Sequence, residues 1–279
     1  MTVADTSPAV ATDTSAAVAT DAHAAAGIAA RLRDATRARL ATLQVVVETG
    51  STQSDLLAAP VPAQGCAVLL ARRQRDGQGR RGRAWISAEG NLALSLSRRI
   101  ARPLRDLSGL SLAAGVAIVE ALHALGVDAA GLKWPNDLVA GERKLGGLLV
   151  DARADGAASI AVIGVGVNVA LPAPLGQAID QAWCDLDGLG HAIAHDTLAA
   201  AVIDALVAML DDFERDGLAP FLPRWARHDA YAGRAVRLLD GTREHAGTVL
   251  GIADDGALRL QGSDGEQRFH AGELSLRPR

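Results

Sequence analysis

Between Gly77 and Trp85 the chain reads Gly-Gln-Gly-Arg-Arg-Gly-Arg-Ala-Trp, three glycines and three arginines closed by one tryptophan. Glycine lets backbone come close to a ligand and take positive φ without steric cost. Arginine supplies a permanently charged planar fork that fits carboxylate and phosphate. The chemistry open to such a segment is to close over an anion. Arg72, Arg73 and Arg75 crowd the same region, although the whole chain carries a formal net charge of −4. A locally basic loop on an acidic protein points to a small anionic ligand and away from a general nucleic-acid binder. The literal G-x-G-x-x-G here is not a dinucleotide fingerprint, which needs a helix at the third glycine and an acidic residue about 20 positions on. Gly82 leads instead to Trp85-Ile86-Ser87, Gly90-Asn91 and a strand-like Leu92-Ala93-Leu94-Ser95-Leu96. The competing reading is an exposed Arg-rich hairpin turn.

Three further segments could meet this loop. Lys133-Trp134-Pro135-Asn136-Asp137 follows a short apolar run. Pro135 disfavours helix at Trp134, so a strand ends there and the Asn136-Asp137 turn carries a carboxylate out of it. Arg143-Lys144-Leu145-Gly146-Gly147 sets a basic pair ahead of a glycine-opened strand. Ile163-Gly164-Val165-Gly166-Val167-Asn168 is an apolar strand with glycines where another group must come close. The two cysteines, Cys66 and Cys184, lie far apart. They argue against thiolate metal sites and redox chemistry and for a reducing, cytoplasmic setting.

The elements that must position these groups alternate. Gln44 to Glu48 and Cys66 to Ala71 read as strands, with a short helix between them capped by Ser51 or Thr52 and ended at Pro60. Leu92 to Ser97 alternates at period two, as a half-buried strand does. Asp106 to Leu125 reads as a helix stopped by Gly126, and Gly147–Asp151 and Ile160–Val169 as paired strands. His195 to Asp216 is a long helix whose Leu198, Val202, Leu206, Met209 and Leu210 form a core stripe. From Gly233 short strands alternate with the turn pairs Asp240-Gly241, Asp255-Gly256 and Asp264-Gly265, the pattern of a small β-barrel. Residues 1–27, rich in Ala and Thr, read as a disordered tail without signal-peptide character. A single Arg-rich helix is expected over Ile28–Leu43. One helix cannot build a helix-turn-helix, so specific DNA binding is not expected. No membrane span is expected either. The expected division is a tail (1–27), a catalytic domain (28–230) and a C-terminal domain (231–279).

GQGRRGRAW, KWPND, RKLGGLL and IGVGVN, in this order and spacing, resemble the motifs of biotin–protein ligases. Glu48-Thr49-Gly50-Ser51-Thr52-Gln53 is similar to that family's first biotin-contact segment. The resemblance runs from about residue 45 to the C-terminus. It implies an α+β fold of the class II synthetase-like, biotin/lipoate-ligase type: a mixed sheet packed with helices, plus a C-terminal SH3-like barrel. It implies activation of biotin by ATP to biotinoyl-5′-AMP, then transfer to a lysine of the biotin carboxyl carrier protein of acetyl-CoA carboxylase. Lys144, Arg80 and Asp137 would be catalytic, Asp137 also as a Mg²⁺ ligand. Biotin would meet Ser51, Thr52, Gln53, Gln74, Gly77, Gln78, Arg80, Trp85, Lys144 and Gly147. ATP would meet Arg80, Arg81, Arg83, Lys133, Asn136, Lys144, Asn168 and Trp183.

The chain departs from the family pattern at Gln78, where arginine is usual, at Gln53, where asparagine is commoner, and at Gly146, where alanine is commoner and glycine should only loosen packing. Lipoate or octanoate attachment stays open beside biotin ligation, the octanoyl route requiring a reactive cysteine such as Cys184. So does a non-catalytic biotin-sensing regulator. A homodimer is possible through an exposed sheet edge.

Overall fold

The computed structural model describes residues 19–176, 181–240, 243–270 and 274–278. Its first secondary elements are helices α1 (Ala22–Arg31) and α2 (Asp34–Arg37), followed by strand β1 (Leu40–Thr49). The single helix expected over Ile28–Leu43 is therefore divided. Leu40 to Leu43 are drawn into β1 because β2 (Cys66–Gln74) offers a parallel ladder from Leu40↔Cys66 to Thr49↔Gln74. The tail reading also fails for residues 19–27. Thr20 bridges Val46, Asp21 caps α1 by accepting from the Ala24 N–H, and Ile28 is fully buried. Residues 1–18 lie outside the described residues. The arginines of this segment face acids: Arg31 pairs with Asp196, Arg33 with Asp204 and Arg39 with Asp211.

Parallel pairing of β1 and β2 requires a crossover, supplied by α3 (Thr52–Ala58), whose N-cap is Ser51 as expected. The sheet then continues antiparallel through β3 (Leu92–Ile100), β4 (Ala130–Lys133), β5 (Asp137–Ala140), β6 (Arg143–Asp155) and β7 (Ala158–Val167). Its spatial order is β1-β2-β3-β7-β6-β5-β4. β3 departs from the half-buried expectation. It is a central strand, buried on both faces, and its inward polar residues Ser95 and Ser97 are each 1% exposed.

One face of the sheet packs on α4 (Leu110–Ala124) and α6 (His195–Asp216). α4 starts later than the Asp106 expected, because Gly109 takes φ 81° directly before it. Leu198, Val202, Leu206, Met209 and Leu210 of α6 are buried in the main core, each such side chain contributing about 1.5–3 kcal/mol. Leu104–Ala124, which contains α4, is long and apolar enough to cross a membrane by composition alone, and α4 is the core helix here. α5 (Ala173–Gly176) and α7 (Leu222–His228) complete the helices.

The C-terminal part is a five-stranded antiparallel sheet of β8 (Ala235–Asp240), β9 (Arg243–Ile252), β10 (Leu258–Gly262), β11 (Gly265–Phe269) and β12 (Leu274–Pro278), in the order β11-β10-β9-β8-β12. Among the described residues no ladder joins β11 to β12, so the sheet is not a closed barrel. The Asp264-Gly265 turn joins β10 to β11 and the Asp255-Gly256 turn joins β9 to β10, as expected. Gly241 of the third turn lies outside the described residues.

Candidate active site

A cavity of about 450 Å³ lies where the Arg loop, the β4–β5 turn and the ends of β6 and β7 converge. The Arg loop is both a hairpin and a cavity wall. Gln78 bridges Ala84, the Gly79 N–H donates to the Arg83 carbonyl at 2.8 Å, and the Trp85 N–H donates to the Gly77 carbonyl at 2.8 Å. Its tip turns through Arg81 at φ 64°, the only non-glycine residue with positive φ among the described residues, a conformation uncommon outside Asn, Asp and Gly. Gly77 is buried and does not itself line the cavity. A Cβ there would sit 2.5 Å from the Trp85 carbonyl, so Gly77 permits the hairpin to close.

One end of the cavity is cationic. Lys144 Nζ donates to Asp137 Oδ1 at 2.6 Å, joining β6 to β5. Gly147, opposite Asp137 in the ladder, leaves the space: a Cβ would lie 3.4 Å from Lys144 Nζ. Arg80 Nη1 donates to Asn136 Oδ1 at 3.2 Å, and Asn136 Nδ2 donates to the Leu148 carbonyl at 2.6 Å, so the turn after the cis Trp134–Pro135 peptide fixes Arg80 across the cavity. Burial works against the Arg80 charge and Asp137 supports it. Burial likewise lowers the pKa of Lys133 from the ordinary lysine value, with Asp137 acting the other way, and the Tyr231 ring lies 5.5 Å beneath its ammonium.

The other end is neutral and polar. Gln74 Oε1 accepts from the Thr52 N–H at 2.9 Å and lies 3.1 Å from Thr52 Oγ1. Thr52 Oγ1 meets Ser95 Oγ at 2.8 Å, and Ser95 donates to Gln53 Oε1 at 3.2 Å. The two glycines of β7 admit these groups as their sequence foretold. A Cβ on Gly166 would sit 2.4 Å from the Trp85 ring, and one on Gly164 2.7 Å from Gln53 Oε1. Gly146 is not a loosened position. Its Cβ would sit 2.5 Å from the Gly166 carbonyl, so β6 and β7 approach there closer than alanine permits.

The chain matches the Biotin/lipoate A/B protein ligase family over residues 50–168 and the biotin protein ligase C-terminal domain over residues 231–277. It is 38% identical over 240 residues to the bifunctional ligase/repressor BirA of Escherichia coli (strain K12), a match spanning 85% of this chain and 74% of that protein. It is 32% identical over 237 residues to the biotin--[acetyl-CoA-carboxylase] ligase of Paracoccus denitrificans, spanning 82% of this chain and 98% of that one. The chain belongs to the biotin protein ligase family. Among solved structures it is similar to the Aquifex aeolicus biotin protein ligase in complex with biotin and ATP, with a TM-score of 0.71 and 27% identity over 86% of this chain and 99% of that one.

In this ligase-family chain every sequence-predicted site residue except Gly77 lines the one cavity. Asn168 does so with its amide already engaged, Nδ2 donating to the Cys184 carbonyl at 3.0 Å and the Lys144 carbonyl at 3.4 Å. Its visible work is to hold the Lys144 backbone. Trp183 is placed beside it, since residue 183 bridges Lys144 and its ring packs on Gly176. Among the lining residues that escaped the sequence reading are Ser95, Gln181, Leu276 and Arg277. Ser95 looked like an alternating strand residue. Leu276 and Arg277 of β12 reach the cavity from the C-terminal sheet, Arg277 donating to Gln181 Oε1 at 3.4 Å.

A Mg²⁺ ion finds little ready-made here. No group of three or more His, Cys, Asp or Glu that could hold a metal exists among the described residues, and Asp137 is the carboxylate lining the cavity. That donor set fits an ion arriving with phosphates, which commonly uses one or two carboxylates.

Proposed function

We propose that this chain is an ATP-dependent ligase that converts biotin to biotinoyl-5′-AMP and transfers the biotinoyl group to a lysine of the biotin carboxyl carrier protein of acetyl-CoA carboxylase. The observation that carries this reading is the two-ended cavity. A carboxylic acid whose far end is neutral and hydrogen-bonding fits it with the tail on Thr52, Ser95 and Gln74 and the acid beside Lys144. Biotin has that form, with a neutral ureido group at one end and a carboxylate at the other. Lipoate and octanoate end in apolar groups and bring this polar end no hydrogen-bonding group. Octanoyl transfer through a thioester is further disfavoured. Cys184 is 4% exposed and burial raises its thiol pKa.

In this mechanism the biotin carboxylate oxygen attacks the α-phosphorus of ATP, a P–O bond forms, and pyrophosphate leaves. The two reactants are anions, so positioning and charge neutralisation do most of the work. Lys144 lies between carboxylate and α-phosphate, held there by Asp137. Arg80, fixed by Asn136, retains the adenylate, and Arg81, Arg83, Lys133 and Arg277 supply further positive charge to the nucleotide. Trp85 and the Arg hairpin wall the mixed anhydride from water. A Mg²⁺ ion, where bound, would neutralise phosphate charge, with Asp137 and Asn136 as its protein neighbours. The acceptor amine then attacks the acyl carbon and AMP leaves.

We read the chain as a ligase without a repressor's DNA contacts, because Arg31, Arg33 and Arg39 are paired with acids of α6. A cytoplasmic setting agrees with two buried free thiols. The test is biotin-dependent ATP–pyrophosphate exchange, with lipoate and octanoate run beside it and the carrier domain added afterwards. Exchange with biotin alone, followed by labelling of one carrier lysine, is the expected result. Exchange with lipoate, or biotin binding without exchange, overturns the reading.

A further inference from the structure

Lys133 is 7% exposed, yet its side chain lines the cationic end of the cavity. A buried ammonium is costly unless something offsets its lost water. Lys144 has Asp137 for this, at 2.6 Å. Among the described residues no hydrogen bond or salt bridge holds the Lys133 ammonium. What it meets is a π face. Nζ lies 5.5 Å from the centroid of the Tyr231 ring, within the reach at which a ring quadrupole attracts a cation, and the attraction grows as the cation loses water. Tyr231 is itself held firmly. It is 1% exposed, it is the single tyrosine of the chain, and it does not line the cavity. The segment before it runs along β4: Leu132 bridges Asp229, and the Ala230 N–H donates to the Leu132 carbonyl at 2.9 Å. One residue further along each chain stand Lys133 and Tyr231. The Tyr231 N–H donates to Asp229 Oδ1 at 2.9 Å. The Arg234 guanidinium lies 5.0 Å from the same ring and is paired with Glu142 of the β5–β6 turn. The hydroxyl adds no contact, being buried with no hydrogen-bond partner among the described residues. What this position supplies is the ring.

We propose that Tyr231 is a positioning residue, whose ring face holds the Lys133 ammonium in the cavity for the phosphates of ATP. The inference rests on the ligase reading above, which gives Lys133 to the nucleotide. An aromatic face suits this task in a way a carboxylate does not. A carboxylate would take up ammonium donors, as Asp137 does at Lys144, and would repel an arriving phosphate. The ring attracts the cation and carries no net charge, and an ammonium has three N–H donors to turn to phosphate oxygens. Burial pushes Lys133 toward its neutral form and Asp137 works against that, in the same direction as the ring. Residue 231 is also where the match to the C-terminal domain begins, so the contact ties the first residue of that domain to a lysine of the seven-stranded sheet.

The experiment compares wild type with Tyr231→Phe, with Tyr231→Leu and with the full chain carrying trifluorophenylalanine at position 231. KM for ATP and for biotin is measured by pyrophosphate exchange, and the melting temperature is recorded beside it. Tyr231→Phe keeps the ring and drops an unpartnered hydroxyl, so both KM values stay at wild type and the melting temperature does not fall. Tyr231→Leu is expected to raise ATP KM about tenfold, the scale of a desolvated cation–π contact, and to leave biotin KM unchanged. Trifluorophenylalanine keeps the shape of the ring but draws electron density from its face. ATP KM should then rise about fivefold, with the melting temperature of Tyr231→Phe retained. A ring that only fills the core would not respond to fluorination, so unchanged ATP KM in that protein overturns the proposal. An equal rise in ATP and biotin KM overturns it too, as does Tyr231→Phe behaving like Tyr231→Leu. If Tyr231→Leu yields no folded protein, the fluorinated chain decides alone against the same outcomes. Absence of biotin-dependent exchange in wild type would bring down the ligase reading itself. Normal wild-type exchange with an ATP KM indifferent to the ring brings down this inference alone.

Discussion

Lys144 Nζ and Asp137 Oδ1 stand 2.6 Å apart across the β5–β6 pair, with side chains 21% and 17% exposed. The pair is close enough to fix the ammonium and open enough to let it turn to a ligand. Gly147, on the same face, keeps the space beside it.

Lys144→Ala is therefore expected to lower biotin-dependent pyrophosphate exchange by about 10²–10³-fold, the usual effect of removing one preorganised charge from a reacting centre. Biotin should still bind through the neutral end, and calorimetry of the variant would show it. Exchange at the wild-type rate would remove Lys144 from the chemistry.

Arg80→Gly should separate making the adenylate from keeping it. Asn136 holds the Arg80 guanidinium across the cavity at 3.2 Å, and glycine leaves that opening unguarded. Exchange should persist within about tenfold of wild type while biotinoyl-AMP escapes to solvent, a split between bond-making and retention read from mutant kinetics. The check is biotin found on lysines of a bystander protein. Tight retention in the variant would assign the closure to Arg81 or Arg83.

Gly166→Ala places a Cβ 2.4 Å from the Trp85 ring. Overpacking of this size costs about 1–3 kcal/mol, so biotin KM should rise at least about tenfold and Trp85 fluorescence should shift. Unchanged KM would mean that the indole is not part of the biotin wall.

His195 and His228 give the stability a definite pH slope. Burial lowers both pKa values from the ordinary imidazole value, with His123 adding to the effect at His228. The unfolded chain then binds more protons than the folded one, so stability is complete above about pH 6.5 and is lost as pH falls through the folded values. The melting temperature should drop between about pH 7 and pH 5, and His195→Gln should flatten part of that slope. A melting temperature that rises on acidification would contradict the assignment.

What the sequence revealed were features written in local order. Ser51 capping α3, the α6 stripe and the close approaches at Gly164 and Gly166 follow from residue type and period. The segments 133–137 and 143–147 stood out because the first carries its own turn and the second sets a basic pair ahead of two glycines. What it hid depends on partners far along the chain. Leu40–Leu43 left a helix for a strand because β2 pairs with them. Asn168 proved to brace the Lys144 backbone, and Gly146 proved to be a contact point between strands. Arg277 lies 194 residues after Arg83, and no local pattern couples them to one cavity. The hydrogen bonds that link Gln74, Thr52, Ser95, Gln53 and Asp151 join four separate elements, β2, α3, β3 and β6.

Leu276 and Arg277 line the cavity, and Trp134 Nε1 donates to the Gly256 carbonyl at 3.2 Å, tying the β4–β5 turn to the C-terminal sheet. Removing β12 would take Leu276 and Arg277 out of the cavity wall, so the site is built by the C-terminal sheet as well as by the sheet that carries the Arg hairpin.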